Sequence, residues 1–443
     1  MAYLSYISEF CSEIYDILVS MGKKINDNED EYGYYKKPVV NKAAFAFLAT
    51  LFLMLIVGVP VMLIMSGKSK EVTVSKLNTE GVAIWELIPE EHVEKKVEGP
   101  VEEEEIVIEI PEEDADYTHI IETAASDELT ISFAGDILFD TNYAVGNAFN
   151  RNGNSPVGVV GESLLSRMNA SDIMLINNEF PYSDAGTPTE GKTYTFRARP
   201  GTVEILKEMG VDIVGLANNH AYDYGERALL DTFDTLDNAG IEYVGAGRNI
   251  DEASHPVYYI NQSGMKIAII CATQIERLSN PDTKEATATS AGVFRCLDDT
   301  RLLERVREAK EKGAFVIVFI HWGTEGTPEI DYLQRDQSAE ITAAGADLVI
   351  GAHPHMLQKI DYVNNVPVVY SLGNYIFNSK TLDTCLITAT IRGDYSVSLQ
   401  MIPAIQQGCT VKEAFGDEAQ RILDEMSAMS PGIIIDSNGF ISR

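Results

Sequence analysis

The stretch "VGLANNHAYDYG", Val214 to Gly225, decides the fold. It opens as an apolar run and passes without a break into Asn218, Asn219 and His220, with Asp223 three residues later. Two amides, an imidazole and a carboxylate are costly to place at the end of a buried strand, because each must find a partner once water is removed. Such a run predicts a strand whose far end serves a site.

The same grammar recurs along the chain. Short runs rich in Val and Ile ("LTISFAGD", "DIMLINNEF", "KIAIICAT", "FVIVFIHWG", "DLVIGAHPH", "VPVVYSLGNYIF") alternate with helix-like segments. Among the latter, "RALLDTFDTLDNAG", "TRLLERVREAKEKG" and "SAEITAAGA" close on Gly240, Gly313 and Gly345, the stop expected of helices. Continuous apolar strands separated by helices predict an α/β fold whose sheet is covered on both faces.

Five of these strands end in chemistry. They close on Asp136; on Asn177, Asn178 and Glu179; on Asn218, Asn219 and His220; on His321; and on His353 and His355. Ligand sites of α/β sheets form outside the carboxyl ends of the strands, so these side chains are expected to share one rim. Only seven histidines occur in the chain, and four of them lie at these ends. Imidazoles, carboxylates and an amide without thiolates suit one or two divalent cations of the Mn, Fe or Zn kind. Read as an extended segment, His353 and His355 point the same way, to bind one cation or each of two. Asn374, in "SLGN", either reaches the rim or closes a turn. Arg197, in "TYTFRARP", either meets an anionic substrate or sits on the surface. Lys192 reads as solvated, "GAGRN" (Gly245 to Asn249) as a turn, and Trp322 as core or as a shield for His321.

Composition bounds the rest. The chain has 443 residues, 45% hydrophobic, with a formal net charge of −33, which excludes nucleic acid as a partner, since that needs a basic face. Five scattered cysteines form no C-x-x-C pair, and no disulfide framework is implied. Ala43 to Met65 is uncharged and of bilayer-spanning length; it starts too late and lacks the cleavage site of a secretory leader. This predicts a cytoplasmic arm (residues 1–42), one transmembrane anchor (43–66), an acidic, largely disordered stalk (67–126) and an outward-facing domain (127–443). The flanking lysines tie, so orientation rests on the short amino-terminal arm. The stalk, dense in glutamate from Glu86 to Asp116, is extended by its own repulsion, and "IVIEI" (Ile106 to Ile110) could add an edge strand.

"FAGDILFD", "NNEFP", "LANNHAYDYG", "HWGTE", "GAHPHMLQ" and "YSLGNYIF" occur in this order between about residues 129 and 378. Together they resemble the CapA family of capsule and poly-γ-glutamate biosynthesis proteins, which is itself similar to the calcineurin-like metallophosphoesterases. The resemblance implies a four-layer α/β/β/α sandwich with a two-metal rim. It aligns Asp136 with the first metal-binding aspartate, Glu179 with the bridging acid and Asn219 with the amide ligand. His321, His353 and His355 fall on the remaining ligands, and His220 on the acid that protonates the leaving group. Asp223 then orients His220 or caps the following helix. Leu138 replaces the histidine of the phosphoesterase G-D-x-H start, so one cation loses a ligand unless Asp140 or another residue substitutes. Two readings follow: a metal-dependent hydrolase of the cell envelope acting on a phosphoester or peptide-like bond, or a component that binds an anionic polymer beside membrane-bound synthesis proteins. No ATP-binding loop is visible.

Overall fold

The computed structural model describes residues 110–275 and 283–443. The expected arm, membrane anchor and most of the stalk lie outside the described residues. Among the described residues, no helix is long and apolar enough to cross a membrane.

Two mixed sheets carry the fold. The first runs in the order β1 (Thr118–Ile121), β7 (Val257–Asn261), β8 (Lys266–Thr273), β10 (Phe315–His321), β11 (Leu348–Ala352), β13 (Val366–Val369), β12 (Ile360–Val363). Strands β8, β10, β11 and β13 are mutually parallel. The second runs β18 (Ile434–Ile435), β19 (Phe440–Ser442), β16 (Val397–Gln407), β15 (Leu382–Arg392), β2 (Glu128–Ile137), β3 (Ile173–Asn178), β4 (Ile213–Gly215), β5 (Glu242–Val244). Strand β14 (Asn374–Ile376) adds to β2, and β17 (Thr410–Glu413) to β16. Strands β14, β2, β3, β4 and β5 are parallel. A small ribbon pairs β6 (Ala246–Gly247) with β9 (Gly292–Val293).

Alternation along the strands sorts the core into layers. Ile131, Phe133, Ile173, Leu175 and Ile213 of the second sheet pack with Ile267, Ile269, Phe315, Ile317 and Ile350 of the first. The intervening residues face helices. Met174, Ile176 and Val214 meet α1 (Ala144–Arg151), α2 (Glu162–Ala170), α3 (Glu204–Glu208) and α4 (Gly225–Ala239) through Phe149, Leu164, Leu206 and Phe233. Ala268, Val316 and Val349 meet α5 (Ile250–Ser254), α6 (Thr300–Glu311) and α7 (Tyr332–Ala344) through Ala253, Val306 and Ile341. The layers are therefore helices, sheet, sheet, helices. A last helix, α8 (Asp417–Met429), joins the inter-sheet core through Ile422, Leu423 and Met426. Gly240, Gly313 and Gly345 end α4, α6 and α7 with positive φ (70°, 78° and 119°), as their positions predict.

Parity alone would misplace Asp136. Ala134 pairs with Ile176, which faces the helices, so a regular strand would point Asp136 the same way. A bulge intervenes: Asp136 pairs with Asn177, on the inter-sheet side. The extra residue is Gly135, where a Cβ would lie 1.9 Å from the Gly373 carbonyl oxygen. Glycine there lets the β2 and β14 backbones touch, and the bulge turns Asp136 towards the first sheet.

The last part of the segment expected to be stalk, up to residue 126, is folded instead. Residues 112–117 form a 3-10 turn, and Thr118–Ile121 adds β1 to β7 in parallel register. Asp114 is buried, with its carboxylate accepting from Lys312 Nζ at 2.7 and 2.8 Å. Tyr117 stacks on His255 at 3.9 Å. A carboxylate that finds a cation and a free sheet edge folds instead of extending.

Gly135→Ala should lower stability by about 1–3 kcal/mol through backbone displacement, read as a reduced urea midpoint. An unchanged midpoint would mean that the two backbones do not meet as described.

Candidate metal centre

The inter-sheet side of the strand ends gathers the expected residues. Asp136, Glu179, Asn219, His220, His321, His353 and Asn374 are all buried, and His355 keeps 20% of its side chain exposed. Two groups of donors have all their ligand atoms within 4.8 Å of one another: Glu179 with His321 and His353, and Asp136 with Glu179 and His355. Glu179 belongs to both. The H-x-H pair is thus divided between the groups. It is also not extended: His353 and His355 both have left-handed backbones, with φ of 98° and 57°, and their rings lie 6.0 Å apart. Non-glycine residues held there are strained, and such strain concentrates at functional sites.

Glu179 tests whether a cation fits. Its Oε1 is buried without a hydrogen-bond partner. Around it stand Nε2 of His321 at 3.7 Å, of His220 at 3.9 Å and of His355 at 4.0 Å. These are too long for hydrogen bonds. A cation bonded at about 2.0–2.2 Å to oxygen and nitrogen alike would bridge such separations. His355 is prepared for this: its Nδ1 lies 2.9 Å from Asp136 Oδ2 and 2.8 Å from Asn374 Oδ1, which orients Nε2 towards Glu179, the carboxylate–histidine arrangement common at metals. Asn374 is therefore a rim residue. Asn219 Oδ1 lies 2.7 Å from His321 Nε2, and His353 Nδ1 lies 3.0 Å from the same atom. The residues present fit a divalent cation in each group.

Electrostatics agree. Burial, and then the charge of Asp136, hold the Glu179 carboxyl well above its ordinary range. Burial, reinforced by His353 and His355, holds His321 well below the usual imidazole value. Burial, the largest influence, acts to lower His355, but Asp136 together with Glu325 and Asn374 leaves the group raised.

Beside this rim lies a second arrangement. His220 Nδ1 is 2.6 Å from Asp223 Oδ2, so Nδ1–H donates to the carboxylate and Nε2 faces the rim. Asp223 does not cap α4, whose N-terminus has no side-chain cap. It also accepts from Phe196 N at 2.7 Å and pairs with Lys192 Nζ at 2.5 Å. Lys192, expected in solvent, is 7% exposed and also donates to the Asn219 carbonyl. Nothing local predicts this, because lysine and aspartate are 31 residues apart. Burial, the largest influence, lowers His220 despite Asp223.

The remaining candidates separate. Leu138 is buried in the helix-side core. Asp140 does not replace the missing histidine, because its carboxylate accepts from the backbone of Asn142 and Arg197 at 2.8 Å each. The Arg197 guanidinium lies 4.2 Å over the Tyr224 ring and donates to Ala185 O at 3.2 Å. Trp322 is core, stacked on Tyr370 and donating to its carbonyl at 2.9 Å. In "GAGRN", Asn249 caps α5.

Residues 130–379 match the family model described as bacterial capsule synthesis protein PGA_cap. The chain belongs to this family. The PGA_cap chain is 30% identical over 294 residues to "Capsule biosynthesis protein CapA" of Bacillus anthracis, covering 64% of this chain and 69% of that one. It is 27% identical over 287 residues to "PGA biosynthesis protein CapA" of Bacillus subtilis (strain 168), covering 64% and 73%. A "Probable polyglutamine synthesis accessory protein" of Mycobacterium tuberculosis matches at 26% over 266 residues, covering 55% and 68%. The match includes every candidate ligand from Asp136 to Asn374.

A pH consequence follows for the metal-free PGA_cap chain. A carboxyl raised in the folded state binds its proton more tightly there. The associated stability is present below the unfolded value of about 4.3 and is lost as pH rises towards the folded value. Glu179→Gln should therefore raise the urea midpoint in chelator at pH 7, with the advantage shrinking towards pH 4, while cation binding weakens sharply. A midpoint at pH 7 equal to or below that of the parent chain would contradict the burden assigned to Glu179.

Proposed function

We propose that this chain is an anchored, outward-facing component of anionic exopolymer assembly, of the poly-γ-glutamate class, whose rim is a hydrolytic centre of metallophosphoesterase type. The observation that carries this reading is Glu179 Oε1, buried and unpartnered among three imidazole nitrogens, beside the Asp223–His220 pair. A polymer-binding rim needs the cations alone. A buried Lys192–Asp223–His220 chain gives the rim a device for moving protons, and that favours hydrolysis.

Asp136, Glu179, His321, His353 and His355 would hold one or two divalent cations of the Mn, Fe or Zn kind, with Asn219 as the amide donor. Bound there, such cations stabilise negative charge on attacking and leaving oxygens and acidify water. The chain's own residues do the rest. Asp223 fixes the His220 tautomer, so that Nε2 takes and returns a proton at the rim. Lys192 holds Asp223 and the 189–197 loop against it. Arg197 lies along the same loop, where its charge would meet an anionic substrate.

The setting is drawn from the relatives' names and from the sequence. The span at 43–66 would seat the chain in the cell membrane with the domain outside, next to membrane-bound polymer synthesis proteins. With a net charge of −33, the chain repels a polyanion in general. Cations at the rim would then mark the place where an anionic chain is accepted.

His220→Ala should lower kcat about 10²- to 10⁴-fold on an activated phosphodiester or a γ-glutamyl amide, at unchanged metal content. Wild-type chain that binds cations yet turns over neither substrate would favour the polymer-binding reading. Loss of metal in His220→Ala would make His220 a ligand instead of a proton carrier.

A further inference from the structure

Asn177 and Asn218 carry no role in the reading above, yet both are fully enclosed, at 1% and 0% exposure. They end β3 and follow β4, neighbouring parallel strands. Asn177 Nδ2 donates to Asp136 Oδ1 at 2.7 Å and to Glu179 Oε2 at 3.1 Å, and lies 3.3 Å from His321 Nδ1. Its Oδ1 accepts from Asn218 Nδ2 at 3.1 Å. Asn218 Nδ2 also donates to the Asn178 carbonyl at 3.0 Å, and Asn218 Oδ1 accepts from His220 N at 3.0 Å.

This ladder has one self-consistent direction. Turning Asn177 over would set its carbonyl oxygen against two carboxylates. Turning Asn218 over would set its oxygen against two carbonyls and its nitrogen against the His220 N–H. The two amides are thus locked, and their donors always face the acids.

The consequence falls on the carboxylates. Each acid has one oxygen occupied by Asn177 and one turned to the rim. For Asp136 the rim oxygen is Oδ2, 2.9 Å from His355 Nδ1. For Glu179 it is Oε1, which has no partner. Two buried carboxylates with all oxygens free would repel or chelate in several ways. Donation from one shared amide holds them together and leaves each a single outward oxygen.

We propose that Asn177, locked by Asn218, is a positioning residue that selects the single oxygen Asp136 and Glu179 each present to the cations. The inference rests on the rim being a cation site.

The test measures Mn²⁺ affinity by calorimetric titration of the full-length chain after chelator treatment, with circular dichroism to verify folding. Asn177→Leu preserves size and removes the donor. It should weaken Mn²⁺ binding about 10- to 100-fold. Asn178→Leu is the control. Asn178 is equally buried, but its amide donates to Phe180 O, so this variant should bind within twofold of wild type. Should Asn177→Leu not fold, Asn218→Leu, which leaves the Asn177 donor in place but removes its lock together with the bonds to Asn178 O and His220 N, carries the same prediction with a smaller loss. Wild-type affinity in Asn177→Leu or Asn218→Leu, or equal losses in these and in Asn178→Leu, would overturn the proposal while leaving the cation site standing. Wild-type chain that binds neither Mn²⁺ nor Zn²⁺ would overturn both.

Discussion

The structure depends on burying two carboxylates side by side between two sheets. Asp136 and Glu179 are both fully enclosed, and neither has a lysine or arginine among its hydrogen-bonding partners. Removing such charges from water costs several kcal/mol each unless they are neutralised. The neighbourhood is built around that cost. An amide donates to both acids, imidazoles ring the remaining oxygens, and the left-handed backbones of His353 and His355 accept strain to bring their rings in. An arrangement so unfavourable without a cation is a reason to expect one. It also explains why the site lies where parallel strands from both sheets end together, since one sheet alone supplies only half of the donors.

Much of this was legible in the sequence. Continuous apolar runs gave the strands, because strands buried on both faces lose their polar alternation. Helix ends followed from glycines that the backbone does require at positive φ. The rim followed from polar residues placed where apolar runs stop. Other features were not legible. The direction of Asp136 depends on a bulge at Gly135, and the need for glycine there comes from Gly373, 238 residues away in sequence. Lys192 looked solvated because its partner is supplied by another loop. The chain from Asp114 to Ile121 looked like stalk because acidic composition predicts repulsion, yet Lys312 and the open edge of β7 are tertiary features. His353 and His355 looked like strand residues, but their loop turns before them.

Leu138 shows how family likeness and chemistry separate. The likeness places a leucine where metallophosphoesterases hold a metal with histidine. In the fold that side chain belongs to the helix-side core, and Asp140 is already bound to two backbone amides. Nevertheless three donors remain in each group, because Glu179 is shared and the H-x-H pair is split between them. The donors that could hold cations therefore do not depend on position 138, and the Asp223–His220 pair lies beside them.

The proposal most exposed to test is that the strand-end rim holds two cations, one in each donor group, with Glu179 shared. Elemental analysis of the purified full-length chain, stripped with chelator, refilled with Mn²⁺ or Zn²⁺ and dialysed, tests it directly. The account predicts two equivalents per chain, falling to about one in His353→Ala and to one or none in Asp136→Ala. No retained metal, or two equivalents that survive both substitutions, would contradict it.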